Sequence, residues 1–197
     1  MNVELLYAWL LGYVLGSIPF GLILTRLAGK GDVRDVGSGN IGATNVLRAG
    51  GRGLAAATLV LDCLKATAAV LIAPRLFGLG TESYAAAGAL IGHLYPIWLR
   101  FRGGKGVATL LGILIALLPM AAAVYALVWV ALLLTVRISS VAGLAAAASA
   151  PVTAAILGNE AYFPMLLGFA LLVIWKHRTN IYRLRAGTEP RIGKGKA

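Results

Sequence analysis

The chain has 197 residues, of which 59% are hydrophobic and only 13% charged; soluble domains sit near half apolar and a quarter charged, so lipid is the expected solvent. Eighteen Lys and Arg against 7 Asp and Glu leave a formal charge of +11, which suits nucleic acid, a membrane surface or an anionic substrate until placement decides. The single cysteine, Cys63, excludes an internal disulfide framework, and one integral-membrane domain over 1–197 is expected at this length.

In chain order, Leu5 to Thr25 is free of charge and long enough to cross about 30 Å of hydrocarbon. It lacks a basic leader and runs into a Gly- and Arg-rich loop, which favours an uncleaved first span over a signal peptide. A second run covers Leu54 to Phe77 and a third Tyr84 to Leu99. The uncharged stretch Gly106 to Val136 would reach ~46 Å as one helix, too long even when tilted. It is therefore read as two helices turning near Pro119. Ile138 to Asn159 and Tyr162 to Trp175 supply the last two, separated by Gly158-Asn159-Glu160. The expected fold is all-α, a polytopic transmembrane helix bundle of seven spans, with five as the fallback if weaker pieces merge.

Lys and Arg placement sets the orientation. The loop Arg26 to Arg52 holds five basic residues, Arg100 to Lys105 three, Arg137 one and the tail from Lys176 seven, so 16 of the 18 fall on one side of a seven-span chain. Glu82 and Glu160 occupy the opposite turns. The positive-inside rule then predicts an outside N-terminus and a cytoplasmic C-terminus. These charges flank spans and come with no basic-aromatic ladder, so no nucleic-acid partner is expected.

Topology does not explain the companions of those charges. The first loop reads Gly37-Ser38-Gly39-Asn40-Ile41-Gly42-Ala43-Thr44-Asn45-Val46-Leu47-Arg48. Its glycines let backbone N–H groups approach an anion, Ser38, Asn40, Thr44 and Asn45 add side-chain donors, and Arg48 adds charge. A plain interhelical turn capped by Ser and Asn is the simpler alternative for Gly and Ser alone. The second segment, Arg102-Gly103-Gly104-Lys105-Gly106, opens a helix at Val107, a ready anion site with a lysine as point charge. It is not a Walker A loop: Leu99 stands where the earlier glycine belongs and Gly106 follows the lysine, so ATP is not implied. A juxtamembrane lysine on its own needs only the positive-inside rule. The third segment runs from Trp175-Lys176-His177-Arg178-Thr179-Asn180 to Glu189. His177 and Asn180 share a face if the segment stays helical, against the alternative of a snorkelling helix end. Glu189 is the tail's sole acid, with simple pairing to the nearby arginines as the alternative to a substrate role.

Taken together, the strings Ser38–Gly51 (SGNIGATNVLRAGG), Gly92–Thr109 (GHLYPIWLRFRGGKGVAT) and Trp175–Glu189 (WKHRTNIYRLRAGTE) resemble the three signature segments of the bacterial membrane acyl-phosphate-dependent glycerol-3-phosphate acyltransferases. The resemblance covers essentially the whole chain. It implies transfer of a fatty acyl group from acyl phosphate to glycerol 3-phosphate, giving lysophosphatidic acid and inorganic phosphate, the first step of phospholipid biosynthesis. It also implies residence in the bacterial inner membrane with the site facing the cytoplasm, membrane lipid as surroundings, and a loose association with the enzyme that makes acyl phosphate.

Residue chemistry agrees. Both substrates carry phosphate, one carries an acyl chain that dissolves in lipid, and acyl phosphate already has a good leaving group. Positioning and charge stabilisation are then the main demands. Neither histidine has Asp five residues on, since Trp98 and Tyr182 stand there, and no serine has a nucleophile-elbow context, which favours direct transfer over an acyl-enzyme. By the resemblance, Ser38, Arg48, Lys105, His177 and Asn180 form the catalytic core. Arg48 and Lys105 meet phosphate charge, and His177 is either a donor to phosphate or a weak base, unless a substrate phosphate takes the proton. Asn40, Thr44, Asn45, Gly103, Gly104, Gly106, Ser140 and Glu189 are expected to bind substrate, with a helix N-cap as the alternative for Ser140 and its neighbour Ser139. Neither cofactor nor metal is expected, because carboxylate clusters and Cys/His spacings are missing. His93, beside Tyr95-Pro96, is expected to be structural. Asp62 and Lys65, spaced i, i+3 in an apolar run, are expected to pair in the bundle interior and brace the first loop, with a place on the substrate path as the lesser alternative. A transporter of an organic phosphate is the alternative function, but it would normally show an inverted repeat and broken helices at mid-membrane.

Overall fold

The computed structural model describes residues 2–193, so Lys194 and Lys196 of the basic tail lie outside the described residues. These residues contain α-helices and short 3-10 turns and no strand. They fall into two compact units that divide between Leu117 and Leu118.

The first unit begins with α1 (Val3–Gly16) and α2 (Phe20–Leu27). The expected first span is therefore two helical pieces, because Pro19, lacking an N–H, stands at the break and helix resumes at Phe20. A short α3 (Ala43–Gly50) turns at Gly51, φ 90°, into the 26-residue α4 (Arg52–Phe77). Then come α5 (Glu82–Leu94) and α6 (Val107–Leu117). The third expected span is shorter than the sequence suggests. Pro96 drives Tyr95 out of helical conformation, to φ −138° and ψ 58°, so α5 stops at Leu94 and Leu99 belongs to a separate turn.

Close helix contact depends on missing side chains. Gly12 and Gly16 of α1 lie against the backbone of Ala85 and Ala89 in α5, and Gly88 and Gly92 of α5 lie against Trp9 and Tyr13 of α1. A Cβ at any of the four would overlap backbone. In lipid no hydrophobic drive brings helices together, so small residues and close van der Waals contact take that role. Likewise Gly112 of α6 seats against Cys63 of α4, and Thr67 Oγ1 donates across that contact to the Gly112 carbonyl at 2.9 Å.

The second unit holds α7 (Pro119–Thr135), α8 (Ser139–Ile156), α9 (Phe163–Lys176) and α10 (Arg178–Arg185). The break falls at Pro119 as expected, with Pro at the first helical position and the preceding Leu118 out of helical conformation at φ −144° and ψ 77°. Arg137, φ 61°, turns α7 into α8. A buried stripe of Ala142, Ala146, Ala150 and Ala154 lines α8.

By length and composition, Val3–Leu27, Arg52–Phe77 and Ser139–Ile156 are each able to cross a bilayer, and α6 and α7 are shorter apolar helices. Leu127, Leu134, Leu171 and Ile156 are exposed on their helices, the pattern of surface meant for lipid.

Candidate active site

The first loop is organised by two side chains. Asp32 accepts from Arg34 through Nε (2.9 Å), Nη2 (2.6 Å) and the backbone N–H (3.0 Å), and from Arg26 Nη2 at 2.7 Å. The Arg34 hydrogen bonds hold its carboxyl well below the usual carboxylate range, against a smaller opposing effect of burial. Asn45, 2% exposed on α3, donates from Nδ2 to the carbonyls of Val33 (2.7 Å), Val36 (3.0 Å) and Asn40 (2.8 Å), and its Oδ1 accepts from the Ser38 N–H at 2.9 Å. That geometry revises its expected place among the cradle donors: the amide is committed to the loop's backbone and shapes it. Gly37, φ 61°, lets the chain pass beneath Asn45 and the Arg48 stem, where an added Cβ would sit 3.2 Å from Arg48 Cδ. Ser38 and Arg48 are both exposed, and Thr44 is half-buried in the first turn of α3.

Asn40 joins the first loop to the second. Its Oδ1 accepts from the Gly42 N–H at 2.9 Å and its Nδ2 reaches the Gly103 carbonyl at 3.5 Å. The second loop doubles back on the end of α5 through Arg100 and Phe101, both left-handed at φ 51° and 61°, a conformation uncommon for non-glycine residues. The Gly103 N–H then donates to the Leu94 carbonyl (3.2 Å) and the Gly104 N–H to the His93 carbonyl (3.0 Å). The sequence pattern suggests that both amides face an anion. They are instead paired with α5, and these glycines are needed because a Cβ at either would strike His93 or Pro96. Gly106, φ 90°, accepts the first helical bond of α6 from Leu110 at 2.8 Å, with Lys105 half-buried just before it. Thr109, in the first turn of α6, is fully buried, and its Oγ1 is without a hydrogen-bond partner among the described residues. Nothing in the local sequence marks Thr109; only its burial singles it out.

Beneath this loop, Asp62 and Lys65 pair as expected, at 2.6 Å, on the buried face of α4. Their further partners are the Ile18 carbonyl and His93, so they brace the α1–α2 break and the second loop, where the sequence reading has them bracing the first.

In the second unit His177 links α9 to α10 and is 3% exposed. Its Nδ1 lies 2.8 Å from the Val173 carbonyl. A carbonyl only accepts, so Nδ1 carries the proton and, in the neutral ring, Nε2 carries the lone pair. Asn180, 4% exposed, also turns inward. Glu189 is the hub of this region: Oε1 accepts from Ser140 Oγ (2.7 Å) and Asn180 Nδ2 (2.5 Å), and Oε2 from Arg183 Nε (2.7 Å). Burial alone would raise its carboxyl, but these three donors outweigh it and hold the group below its ordinary value. Ser140 and Glu189, expected to meet substrate, are thus bound to each other. They fasten the tail to α8, and the Ile192 N–H adds a bond of 2.7 Å to the Arg137 carbonyl. Ser140 is not a helix cap, since Ile138 stands at that position.

Residues 6–187 match the family described as glycerol-3-phosphate acyltransferase. The chain is 54% identical over 189 residues to a glycerol-3-phosphate acyltransferase of Rhodopseudomonas palustris (strain HaA2), with 96% of both chains covered. It is 55% identical over 192 residues to that of Brucella ovis, covering 98% of this chain and 95% of the relative. Among solved structures it is similar to PlsY, an integral membrane glycerol 3-phosphate acyltransferase. The glycerol 3-phosphate form of PlsY superposes with a TM-score of 0.90 at 39% identity over 96% of both chains. Its lysophosphatidic acid form gives 0.87 at 38% identity over 96% of this chain and 95% of that one.

Proposed function

The chain belongs to the glycerol-3-phosphate acyltransferase family, an integral-membrane enzyme fold, and from that premise we propose that it moves a fatty acyl group from acyl phosphate directly to glycerol 3-phosphate. A glycerol hydroxyl oxygen attacks the acyl carbonyl carbon, the bond from that carbon to the phosphate oxygen breaks, and lysophosphatidic acid and inorganic phosphate leave. In this reading the chain crosses the bacterial inner membrane seven times, with both Gly-rich loops and the tail on the cytoplasmic side. Soluble glycerol 3-phosphate then arrives from the cytoplasm while the acyl tail lies in lipid. Family membership turns aside the transporter alternative.

The observation that carries this reading is the meeting of two phosphate-suited segments in one unit: Asn40 bridges from the Ser38–Arg48 loop to Gly103, two residues before Lys105. Arg48 and Lys105 are assigned to the charge on the substrates' phosphates. Ser38 and Thr44 are donors, as is the N-terminus of α6 with Gly106 and the Thr109 hydroxyl, which has no partner among the described residues. Asn40, Asn45, Gly103 and Gly104 set the loops that carry them. In the second unit His177 is assigned the base role over the donor role, because its Nδ1–H is held by Val173 and the neutral Nε2 can only accept. Asn180, oriented by Glu189 and through it by Ser140, is assigned to substrate alignment.

Purified protein supplied with palmitoyl phosphate and glycerol 3-phosphate is expected to yield lysophosphatidic acid and phosphate, with chelator leaving the rate unchanged. Acyl-CoA and acyl-carrier protein are expected to support no turnover; efficient use of either by the purified protein would overturn the choice of donor.

A further inference from the structure

One buried polar cluster in the first unit is given no role in the proposed reaction. Asp62 and Lys65 on α4 and His93 near the end of α5 are each at most 6% exposed. Lys65 Nζ lies 2.6 Å from Asp62 Oδ1, 2.8 Å from the Ile18 carbonyl and 3.0 Å from His93 Nδ1. An ammonium has three N–H donors and no lone pair, so these three partners match its capacity. A donor at Nδ1 requires the ring's lone pair there, which puts the proton of neutral His93 on Nε2. Asp62 is 3.8 Å from His93 Nδ1, beyond a hydrogen bond, and acts on the ring by holding Lys65.

The other edge of the ring supports the second loop. An added Cβ at Gly104 would overlap His93 Nε2 and crowd its two ring carbons, so the loop rests directly on the imidazole. The backbone pairs Gly104 to His93 and Gly103 to Leu94 hold it there. The α1–α2 break is tied to the same place, since Trp98 Nε1 donates to the Ser17 carbonyl and Tyr13 Oη to the Tyr95 carbonyl, both at 2.8 Å. Charges within an apolar span are costly, and packing alone could be met by apolar residues of like volume. What apolar residues cannot do is answer the Ile18 carbonyl and orient a histidine.

We propose that Asp62, Lys65 and His93 are positioning residues: Lys65, steadied by Asp62, locks His93 in one tautomer and orientation, and the imidazole sets the Gly103–Gly106 loop and with it Lys105. Its consequence for turnover rests on the reading of that loop as a substrate-phosphate site.

Two full-length variants test this. Asp62→Asn/Lys65→Met removes both charges together, so no lone charge stays buried, and His93→Gln is the milder change that carries the test if the first does not fold. Amide exchange over residues 103–107 is expected to quicken about tenfold or more while α7 and α8 keep their protection, because only the loop has lost its support. KM for glycerol 3-phosphate is expected to rise roughly tenfold with kcat changed less, the signature of lost binding rather than lost chemistry. A lowered melting temperature with exchange at 103–107 unchanged would show a merely structural pair and overturn the proposal. Faster exchange with KM unaltered would uphold the positioning role and remove the loop from the substrate site instead.

Discussion

Replacing Glu189 by Gln isolates one charge at the hub of the second unit without changing its size. Glutamine keeps one oxygen for Ser140 and Asn180 but turns an NH2 group toward Arg183 Nε, which donates to Oε2 at 2.7 Å in the native protein. A charge-assisted bond is replaced by two donors facing each other, a loss of about 1.5–3 kcal/mol. Arg183 is 32% exposed and can turn to water, so the lower end applies. About 1.5 kcal/mol corresponds to roughly 3–6 °C in melting temperature for a chain of this size. The pH dependence has a definite sign. The folded carboxyl lies below its ordinary value, so its stabilisation is present above the unfolded value of about 4.3 and is lost as pH falls through the folded one. Melting of both proteins, followed by tryptophan fluorescence from pH 7 into acid, is expected to show the full gap at neutrality and its closure well below pH ~4. Asp32, also depressed, titrates in both proteins and cancels in the difference. A gap that persists unaltered into acid, or its absence at pH 7, would show that the Glu189 charge does not hold the tail.

Lys105→Arg and Arg48→Lys preserve charge, so both variants are expected to insert normally yet lose about tenfold or more in kcat/KM, because ammonium and guanidinium differ in shape and donor geometry. Ser38→Ala is expected to behave likewise, and near-native turnover in all three would reduce these residues to topology markers. Single cysteines at Ser38, Lys105 and Thr179 in a Cys63→Ala background are expected to react with an impermeant reagent from the cytoplasmic face, and cysteines at Glu82 and Glu160 from the opposite one. Labelling of the first three from different faces would exclude a common side for the chemistry.

The helical class and the breaks at Pro119 and Gly158 are legible in the sequence because they are local or compositional. Apolar runs, proline, and glycine beside charge act on the few residues around them. Hydropathy runs on through Trp98 and Leu99, but Pro96 ends α5 at Leu94 by backbone sterics, so the sequence pattern overstates that span. Partners were not legible. Asn45 reads as a donor for substrate, but folding brings the carbonyls of Val33, Val36 and Asn40 to its amide, and a buried amide pairs with whatever polar group is nearest. Gly103 and Gly104 read as anion-binding backbone, and the structure makes them the contact with His93 and Leu94. Asp62 and Lys65 announce their pairing by spacing alone, while His93, 28 residues beyond Lys65, joins them only where α4 and α5 pack. Composition and local pattern thus fix the lipid solvent and the helical class, because both follow from residues near one another in the chain. Tertiary structure alone decided which polar groups are consumed in holding loops and which are presented, since hydrogen bonds saturate and their partners are chosen by packing across the chain.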